Sequence, residues 1–235
     1  MKKIASTILL IVCISTVTHA QLNLGLKLNW NINKFIIHNS DANVEFYNNG
    51  IYGLNSLTLS GGIMANYRLS KQFSLQSELI YNSINTGFGK AEHYTDNQGD
   101  LDIVGNDFQV QTHYLEIPLL AKISFGNKVT FDILAGAYAG YLLSAKQSTS
   151  DGRLYMPQQN SIDYPPHNVR SDYTSFNGGI VAGLGVTMKD RMVFEFRLNR
   201  GLVDINKSSS EKFNTLQGQF TVGYYLFRQK AKVNQ

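Results

Sequence analysis

Hydrophobic and polar residues alternate along most of this chain. In residues 22–30 every second residue is apolar, from Leu22 to Trp30, and the residues between them are polar or glycine. Strict alternation of this kind predicts a β-strand with one apolar face. The pattern recurs, and it predicts eight strands, at residues 22–30, 57–69, 73–84, 108–123, 129–143, 176–188, 192–203 and 215–227.

The lengths of these strands and of their connections predict a barrel that crosses a membrane. A tilted transmembrane strand needs ~9 to 11 residues, whereas strands of soluble proteins usually have ~5 to 6. Short turns at 70–72, 124–128 and 189–191 alternate with long polar loops at 31–56, 85–107, 144–175 and 204–214. Bacterial outer-membrane barrels combine short periplasmic turns with long extracellular loops. The predicted fold is all-β, an eight-stranded antiparallel up-and-down transmembrane β-barrel.

The charged residues of the predicted strands fall on the face opposite to the apolar one. A charge on the lipid face costs ~2 to 4 kcal/mol at the middle of the bilayer, so the charged face is predicted to line the lumen. Because buried charge needs a partner, we expect Glu78, Glu116 and Glu195 to meet cations such as Lys27, Arg68 and Arg197. The predicted lumen ion-pair network comprises Lys27, Arg68, Glu78, Glu116, Lys122, Asp132, Glu195 and Arg197.

Aromatic residues lie near the ends of the predicted strands. Aromatic side chains are enriched at both membrane–water interfaces. The residues predicted at the interfaces are Trp30, Tyr67, Phe73, Tyr81, Phe131 and Tyr141.

Pro118 departs from the regular pattern of the fourth strand. Proline has no N–H to donate to the neighbouring strand, and a closed barrel has no edge strand to accommodate it. We therefore expect a bulge or bend near Pro118, on which the inward position of Lys122 depends.

The same alternation also fits a soluble, lipocalin-like barrel. There the apolar face points inward, around a ligand. Strand length, the charge-free apolar face and the rhythm of the loops favour the membrane barrel.

The first 20 residues have the pattern of a secretory signal peptide. Lys2 and Lys3 precede an apolar stretch from Ile8 to Ile14, and small or polar residues follow it up to Ala20. Cleavage after Ala20 leaves residues 21–235 as the barrel domain and removes Cys13, the only cysteine. Disulfides, thiolate metal sites and cysteine nucleophiles are thereby excluded from the mature domain. No apolar run approaches the ~18 residues of a membrane-spanning helix.

The charge balance gives no support for nucleic-acid binding. Of the 21 Lys and Arg residues, Lys2 and Lys3 lie in the predicted signal peptide, which leaves 19 against 17 Asp and Glu. Nucleic-acid binding needs basic residues concentrated on one face, and no such cluster follows.

The loops offer little catalytic chemistry. His38, His93 and His167 are scattered over loops, and His113, near a strand end, lacks an adjacent serine and carboxylate in a recognisable arrangement. The acidic segment 96–102 departs from the EF-hand spacing and lacks its closing glutamate, so we expect a solvated loop there. No enzyme activity, cofactor or metal is predicted. Tyr155, Tyr164 and Tyr173 are candidates for a contact surface in the longest loop.

One segment resembles a known family. Residues 113–120, with the sequence HYLEIPLL and followed by Lys122, resemble the YLEIPLLLK signature of the PorT-like outer-membrane β-barrel family of Bacteroidota. The segments 134–138 (LAGAY) and 201–205 (GLVDI) and both ends of the mature chain are similar to that family as well. The resemblance implies a small outer-membrane barrel. Some of the family's members belong to the type IX secretion machinery.

Three functions follow as hypotheses. The first is a non-enzymatic structural or binding barrel with an ion-paired lumen, in contact with outer-membrane lipid and with envelope or extracellular protein partners. The second, suggested by the resemblance, is an accessory of a secretion or uptake machine. The third is the soluble lipocalin-like barrel.

Overall fold

The computed structural model describes residues 21–38, 44–47, 57–95, 101–149, 151–157, 160–207 and 212–229. The predicted signal peptide lies outside these residues. The strands are β1 (Gln21–His38), β2 (Val44–Tyr47), β3 (Leu57–Arg68), β4 (Phe73–Thr95), β5 (Leu101–Gly126), β6 (Val129–Thr149), β7 (Arg153–Met156), β8 (Asn160–Asp163), β9 (His167–Asn168), β10 (Phe176–Met188), β11 (Met192–Gly201) and β12 (Lys212–Arg228). A short 3-10 helix spans Arg170–Asp172. No helix in the described part of the chain is long and apolar enough to span a membrane.

Eight long strands form a closed antiparallel ring. In order they are β1, β3, β4, β5, β6, β10, β11 and β12, and β12 pairs back with β1. We can follow the paired residues from strand to strand around the ring. A path that starts at Lys34 of β1 returns to β1 at Leu24, ten residues earlier. A shift of this kind arises because the strands of a closed barrel tilt by ~35–45° to its axis. The predicted eight-stranded barrel is confirmed.

The apolar face of the barrel points outward. In β1 the even-numbered residues from Leu22 to Ile32 are exposed, and the odd-numbered residues between them are buried. Leu26 is 52% exposed, whereas Lys27 is 2% exposed. This orientation contradicts the lipocalin-like alternative, which requires the apolar face inside. Ten residues of tilted strand rise about 25 Å, which matches the apolar band of outer-membrane barrels.

Four strands extend by six or more residues beyond their predicted extracellular ends. β1 continues to His38, β4 to Thr95 and β6 to Thr149, and β5 begins at Leu101. Much of the predicted loops at 31–56, 85–107 and 144–175 is therefore paired strand. In these segments several inward residues are apolar, among them Phe35, Phe88 and Val104, and polar residues such as Lys34 and Lys146 face outward. They consequently have the polar exterior of a loop although they are strands that stand above the membrane.

The shorter strands lie at the same end of the barrel. β2 pairs with the extension of β4, and β9 pairs with the end of β6. β7 and β8 form a separate hairpin. The opposite end, with the short turns, carries the start of β1 and the end of β12, and is the periplasmic end by the loop-length rule.

Pro118 lies in β5 without a bulge. The β5–β6 register runs without a shift from residue 114 to residue 126, and the irregularity lies earlier, between His113 and Tyr114. On the β4 side the pairing skips Ile117 and Pro118 and resumes in the same register. The predicted bulge is absent at Pro118, because the missing N–H interrupts one ladder without adding a residue, and the alternative, a bend there, stays a prediction. Lys122 keeps its inward position.

Candidate functional site

Arg197 of β11 lies at the centre of a cluster of buried charges in the lumen. Its Nη1 and Nη2 donate to the Glu78 carboxylate at 2.9 and 2.6 Å, and Nη2 also donates to Glu195 at 2.5 Å. Lys27 Nζ donates to the same Glu78 carboxylate at 2.8 Å. All four side chains are almost completely buried. One guanidinium therefore joins carboxylates from β4 and β11.

Lys122 extends this cluster towards the periplasmic end. Its Nζ donates to Glu195 at 3.2 Å and lies 3.0 Å from Asp132 Oδ2. The Asp132 carboxylate also accepts hydrogen bonds from Ser124 Oγ at 2.6 Å and Thr187 Oγ1 at 2.7 Å. Six of the eight residues predicted to line the lumen thus form one connected ion-pair network, whose members come from β1, β4, β5, β6 and β11.

The other two predicted members do not join this network. Arg68 lies at the periplasmic end, where its Nη2 is 3.9 Å from Asp190, a carboxylate that also pairs with Arg228 at 2.7 Å. Glu116 is buried and has no ion pair with any residue that the structure describes; the Asn82 side chain hydrogen-bonds to it. The pairing predicted for Arg68 and Glu116 is wrong. Alternation gives the face of a residue, whereas register and tilt decide its height in the lumen.

An amide ladder joins the first strand to the last. Every rung has an asparagine of β1 as acceptor and a residue of β12 as donor. The rungs are Thr221 to Asn29 at 2.8 Å, Gln219 to Asn31 at 3.1 Å and Gln217 to Asn33 at 2.7 Å. These residues were missed in the sequence, although asparagine at every second position of β1 and matching amide or hydroxyl residues in β12 were a usable signal.

An apolar cluster, here called the cap, fills the lumen above the polar residues. Its members are Phe35, Ile84, Phe88, Phe108, Val110, Tyr114, Leu142, Ala145, Val169, Tyr173, Ile205 and Phe213. Val169 and Ile205 come from connections that fold back into the mouth of the barrel, where the Val169 N–H donates to the Ala145 carbonyl at 3.1 Å. The sequence did not predict the cap, because Phe35, Phe88, Ala145, Val169, Tyr173, Ile205 and Phe213 lie in segments assigned to loops.

The three loop tyrosines have different environments. Tyr155 of β7 is 43% exposed. Tyr164 is half-buried and packs against Phe108, with ring centroids 6.2 Å apart. Tyr173 is 4% exposed and belongs to the cap, so the prediction that it contributes to a contact surface is wrong. The cap forms because the segment around the 3-10 helix turns inward.

The β7–β8 hairpin presents an exposed apolar surface, here called the hairpin patch, made of Tyr155, Met156 and Ile162. The hairpin is fixed to β5 by two hydrogen bonds. Asn106 Nδ2 donates to the Tyr155 carbonyl at 3.0 Å, and the Tyr155 N–H donates to Asn106 Oδ1 at 2.8 Å. The patch therefore stands on the extracellular extension of the barrel wall.

The predicted interface aromatics all lie on the outer face. Near the periplasmic ends are Tyr67, Phe73 and Phe131, and nearer the extracellular ends are Trp30, Tyr81 and Tyr141. Trp30 packs on Phe220 of the adjacent strand, with centroids 6.0 Å apart. An interfacial role for these rings stays a prediction.

The Asp151 carboxylate, next to the hairpin, accepts hydrogen bonds from two groups of β7. The Tyr155 hydroxyl donates to the Asp151 carboxylate at 2.8 Å, and the Arg153 N–H donates to it at 3.0 Å, which holds the pKa of Asp151 below its usual value. A carboxyl whose folded pKa is depressed contributes stability above its unfolded pKa, and loses it as the pH falls through the folded pKa.

We predict that Tyr155→Phe raises the pKa of Asp151 towards its usual value, because the largest cause of the depression is removed. The measurement is an NMR titration of the Asp151 carboxyl carbon. Tyr141→Phe, a tyrosine elsewhere on the barrel, is the control and should leave this pKa unchanged. An equal pKa in wild type and Tyr155→Phe would contradict the assignment.

Among the described residues, no group of three or more His, Cys, Asp or Glu side chains is placed to hold a metal ion. The central part of the acidic segment, residues 96–100, lies outside them. His113 stacks on Tyr81, with ring centroids 5.5 Å apart.

Comparisons with known proteins agree with a membrane barrel. A family model described as "Outer membrane protein beta-barrel domain" matches residues 18–207. No curated protein matches the chain. Solved structures similar to it include Ail, the attachment invasion locus protein of Yersinia pestis, in complex with the heparin analogue sucrose octasulfate, at 12% identity, 90% coverage of this chain, 99% of that chain and a TM-score of 0.42.

Two other solved structures have similar values. Neisserial surface protein A is 10% identical, with 86% of this chain and 97% of that chain covered and a TM-score of 0.41. OprG of Pseudomonas aeruginosa is 8% identical, with 91% and 97% covered and a TM-score of 0.38. Similarity at this level says nothing about what this chain binds.

Proposed function

This chain belongs to the outer membrane protein beta-barrel domain family and lies in the outer membrane, and from that premise we propose that it is a closed, non-enzymatic barrel that binds a partner through its extracellular end. The observation that carries the proposal is the division of the molecule into a filled lumen and an elaborated, partly apolar extracellular end. The partner would be an envelope or extracellular protein.

The closed lumen is supported by the packing of its interior. Arg197 and Glu195 near the middle and Leu142 in the cap are each 0–1% exposed. An eight-stranded barrel has an interior just wide enough for its own side chains. Ion pairs, amide ladder and cap would together leave the barrel wall rigid.

Binding at the extracellular end is supported by the hairpin patch. Tyr155, Met156 and Ile162 are between 43% and 51% exposed, and they project from a hairpin that is hydrogen-bonded to the wall. Interfaces are enriched in aromatic residues and methionine, and rigid scaffolds usually present their binding residues on loops.

The closed lumen predicts that the purified barrel carries no steady ion current in planar bilayers, because buried side chains occupy its cross-section at several levels. A porin inserted under the same conditions provides the positive control. A steady single-channel current from the wild-type barrel would contradict the proposal.

Binding is tested with a photo-crosslinking amino acid placed at Ile162 in intact cells. We expect a discrete crosslinked product, because this side chain is exposed within the hairpin patch. The control position is Lys207, which lies in a different extracellular connection. Absence of any product at Ile162, or the same products at both positions, would contradict binding through the patch.

A second function is favoured by residues 113–120, whose likeness to the signature of PorT-like barrels suggests an accessory of a secretion machine. Deletion of the gene would then reduce the set of exported proteins. An unchanged set would remove the support for this role and leave the binding proposal standing.

A further inference from the structure

We infer that the outer face of β11, β12 and β1 carries a binding site for a lipid whose phosphate headgroup has a net negative charge, at the extracellular edge of the apolar band. The inference goes beyond the proposed function and needs only the membrane position of the barrel. It follows from one row of residues across these three strands.

The row consists of Arg200, Leu216 and Lys34. Leu216 pairs with Arg200 on one side and with Lys34 on the other, and all three occupy the outward positions of their strands. Neighbouring strands lie ~4.8 Å apart, which places the two basic positions roughly 10 Å apart across Leu216. The two cations therefore flank one side chain on the lipid-facing surface.

This row lies near the upper limit of the apolar face, because above it the outward positions are Asn214 and Lys212 on β12 and Ile36 and His38 on β1. The next outward row towards the periplasm is Ile32, Gly218 and Leu198, and the row after it is Trp30, Phe220 and Phe196. Basic side chains at such a boundary extend towards the headgroup layer while their aliphatic parts stay on apolar surface. Lys34 and Arg200 thus lie at the height of lipid headgroups.

Neither cation is neutralised by the part of the chain that the structure describes. Lys34 and Arg200 have no ion pair with a described residue, in contrast to Arg68 and Arg228, which share Asp190. The described outward positions of β1, β11 and β12 carry no acidic residue. Within the described residues, therefore, no carboxylate competes with an external anion for these two charges.

Gly218 leaves room for an acyl chain beneath the two cations. It faces outward between Ile32 and Leu198, and a Cβ built on it would meet no atom within 4 Å. The absence of a side chain produces a notch that opens towards the lipid. A chain lying in the notch would bring its headgroup to Lys34 and Arg200.

The chemistry of the two cations favours a headgroup with net negative phosphate over a zwitterionic headgroup. Arginine donates two parallel hydrogen bonds to phosphate oxygens, and lysine contributes a point charge. In a zwitterionic lipid the headgroup cation would lie among these two positive side chains and oppose binding. A lipid with net negative phosphate does not have this cost.

Trp30, the only tryptophan of the chain, provides the test. It lies on the same face of β1 four residues below Lys34, about 13 Å along the strand. The full barrel is reconstituted in phosphatidylcholine bilayers with a small mole fraction of brominated-chain phosphatidic acid, or the same fraction of brominated phosphatidylcholine. Bromine quenches Trp30 fluorescence only when the brominated chain lies close to it.

We expect phosphatidic acid to quench Trp30 at least twice as strongly as phosphatidylcholine. Lys34→Gln/Arg200→Gln should abolish the difference, and Lys34→Arg/Arg200→Lys should retain it. Lys71→Gln/Lys128→Gln removes the same charge at the periplasmic turns and is the matched control, which should retain it. Heat-modifiable gel mobility checks that each variant is folded.

Equal quenching by the two lipids in the wild-type barrel would overturn the inference. A preference for phosphatidic acid that survives in Lys34→Gln/Arg200→Gln would also overturn it. So would a preference that Lys71→Gln/Lys128→Gln reduces as much as Lys34→Gln/Arg200→Gln does, since either result means general electrostatic attraction without a specific site. None of these results depends on whether the hairpin patch binds a protein.

Discussion

Replacement of Arg197 with methionine is expected to lower the free energy of unfolding by about 3–5 kcal/mol. Arg197 donates to both Glu78 and Glu195 in the middle of the lumen. Its loss leaves two buried carboxylates close together, with only one lysine each as a partner. The measurement is urea-induced unfolding in lipid vesicles, followed by Trp30 fluorescence and gel mobility.

The charge explanation can be separated from a packing explanation by removing the partners together. Lys27→Met/Glu78→Gln/Glu195→Gln/Arg197→Met removes two charges of each sign and leaves the Lys122–Asp132 pair in place. Replacement of complete buried ion pairs is often neutral, so this variant should recover at least half of the loss. Arg153→Met, in the exposed hairpin, is the surface control and should change stability by less than about 0.5 kcal/mol. A quadruple variant as unstable as Arg197→Met would contradict the charge explanation.

The second large effect is expected on the outer face, where Leu28→Arg should cost about 2–4 kcal/mol in a bilayer. Leu28 is 62% exposed and lies in the middle of the apolar stretch of β1. In water a charged residue at so exposed a position would cost almost nothing. The expected loss therefore comes from transferring the guanidinium into hydrocarbon.

The matched control is Leu22→Arg, on the same face of the same strand but at the periplasmic edge. There the expected cost is about 0–1 kcal/mol, because the side chain reaches the headgroup layer. Equal costs at Leu22 and Leu28 would mean that this face of β1 is not immersed in lipid. Both variants are measured by the same vesicle unfolding experiment.

The sequence was sufficient to predict the barrel because its main signal is local. Alternation has a period of two, so a residue such as Lys27 or Leu26 is assigned to a face from its immediate neighbours. Strand number and the short turns follow from the same pattern. The inward orientation of Lys122, Asp132, Glu195 and Arg197 needed no information about partners.

What the sequence did not supply depends on register around the ring. Arg68 and Glu78 share a face, but Arg68 pairs with Ser74, four residues before Glu78, so the two side chains lie at different heights, and Arg68 instead meets Asp190 at the periplasmic end. The cap was missed for a related reason. Above the membrane the solvent outside is water, so outward residues become polar and inward residues such as Phe88 become apolar. The segments with polar outward residues were therefore predicted to be loops.

The pairing of β1 with β12 also has a kinetic consequence. The rungs of the amide ladder connect residues separated by 184 to 192 positions, and β12 is the last strand of the ring, 17 residues long. Contacts so distant along a chain form slowly, because loop-closure entropy is lost before they form. Until β12 arrives, β1 and β11 each expose an unpaired edge to which another chain can add. The time spent as an open, aggregation-prone sheet is therefore determined by the delivery of the final strand.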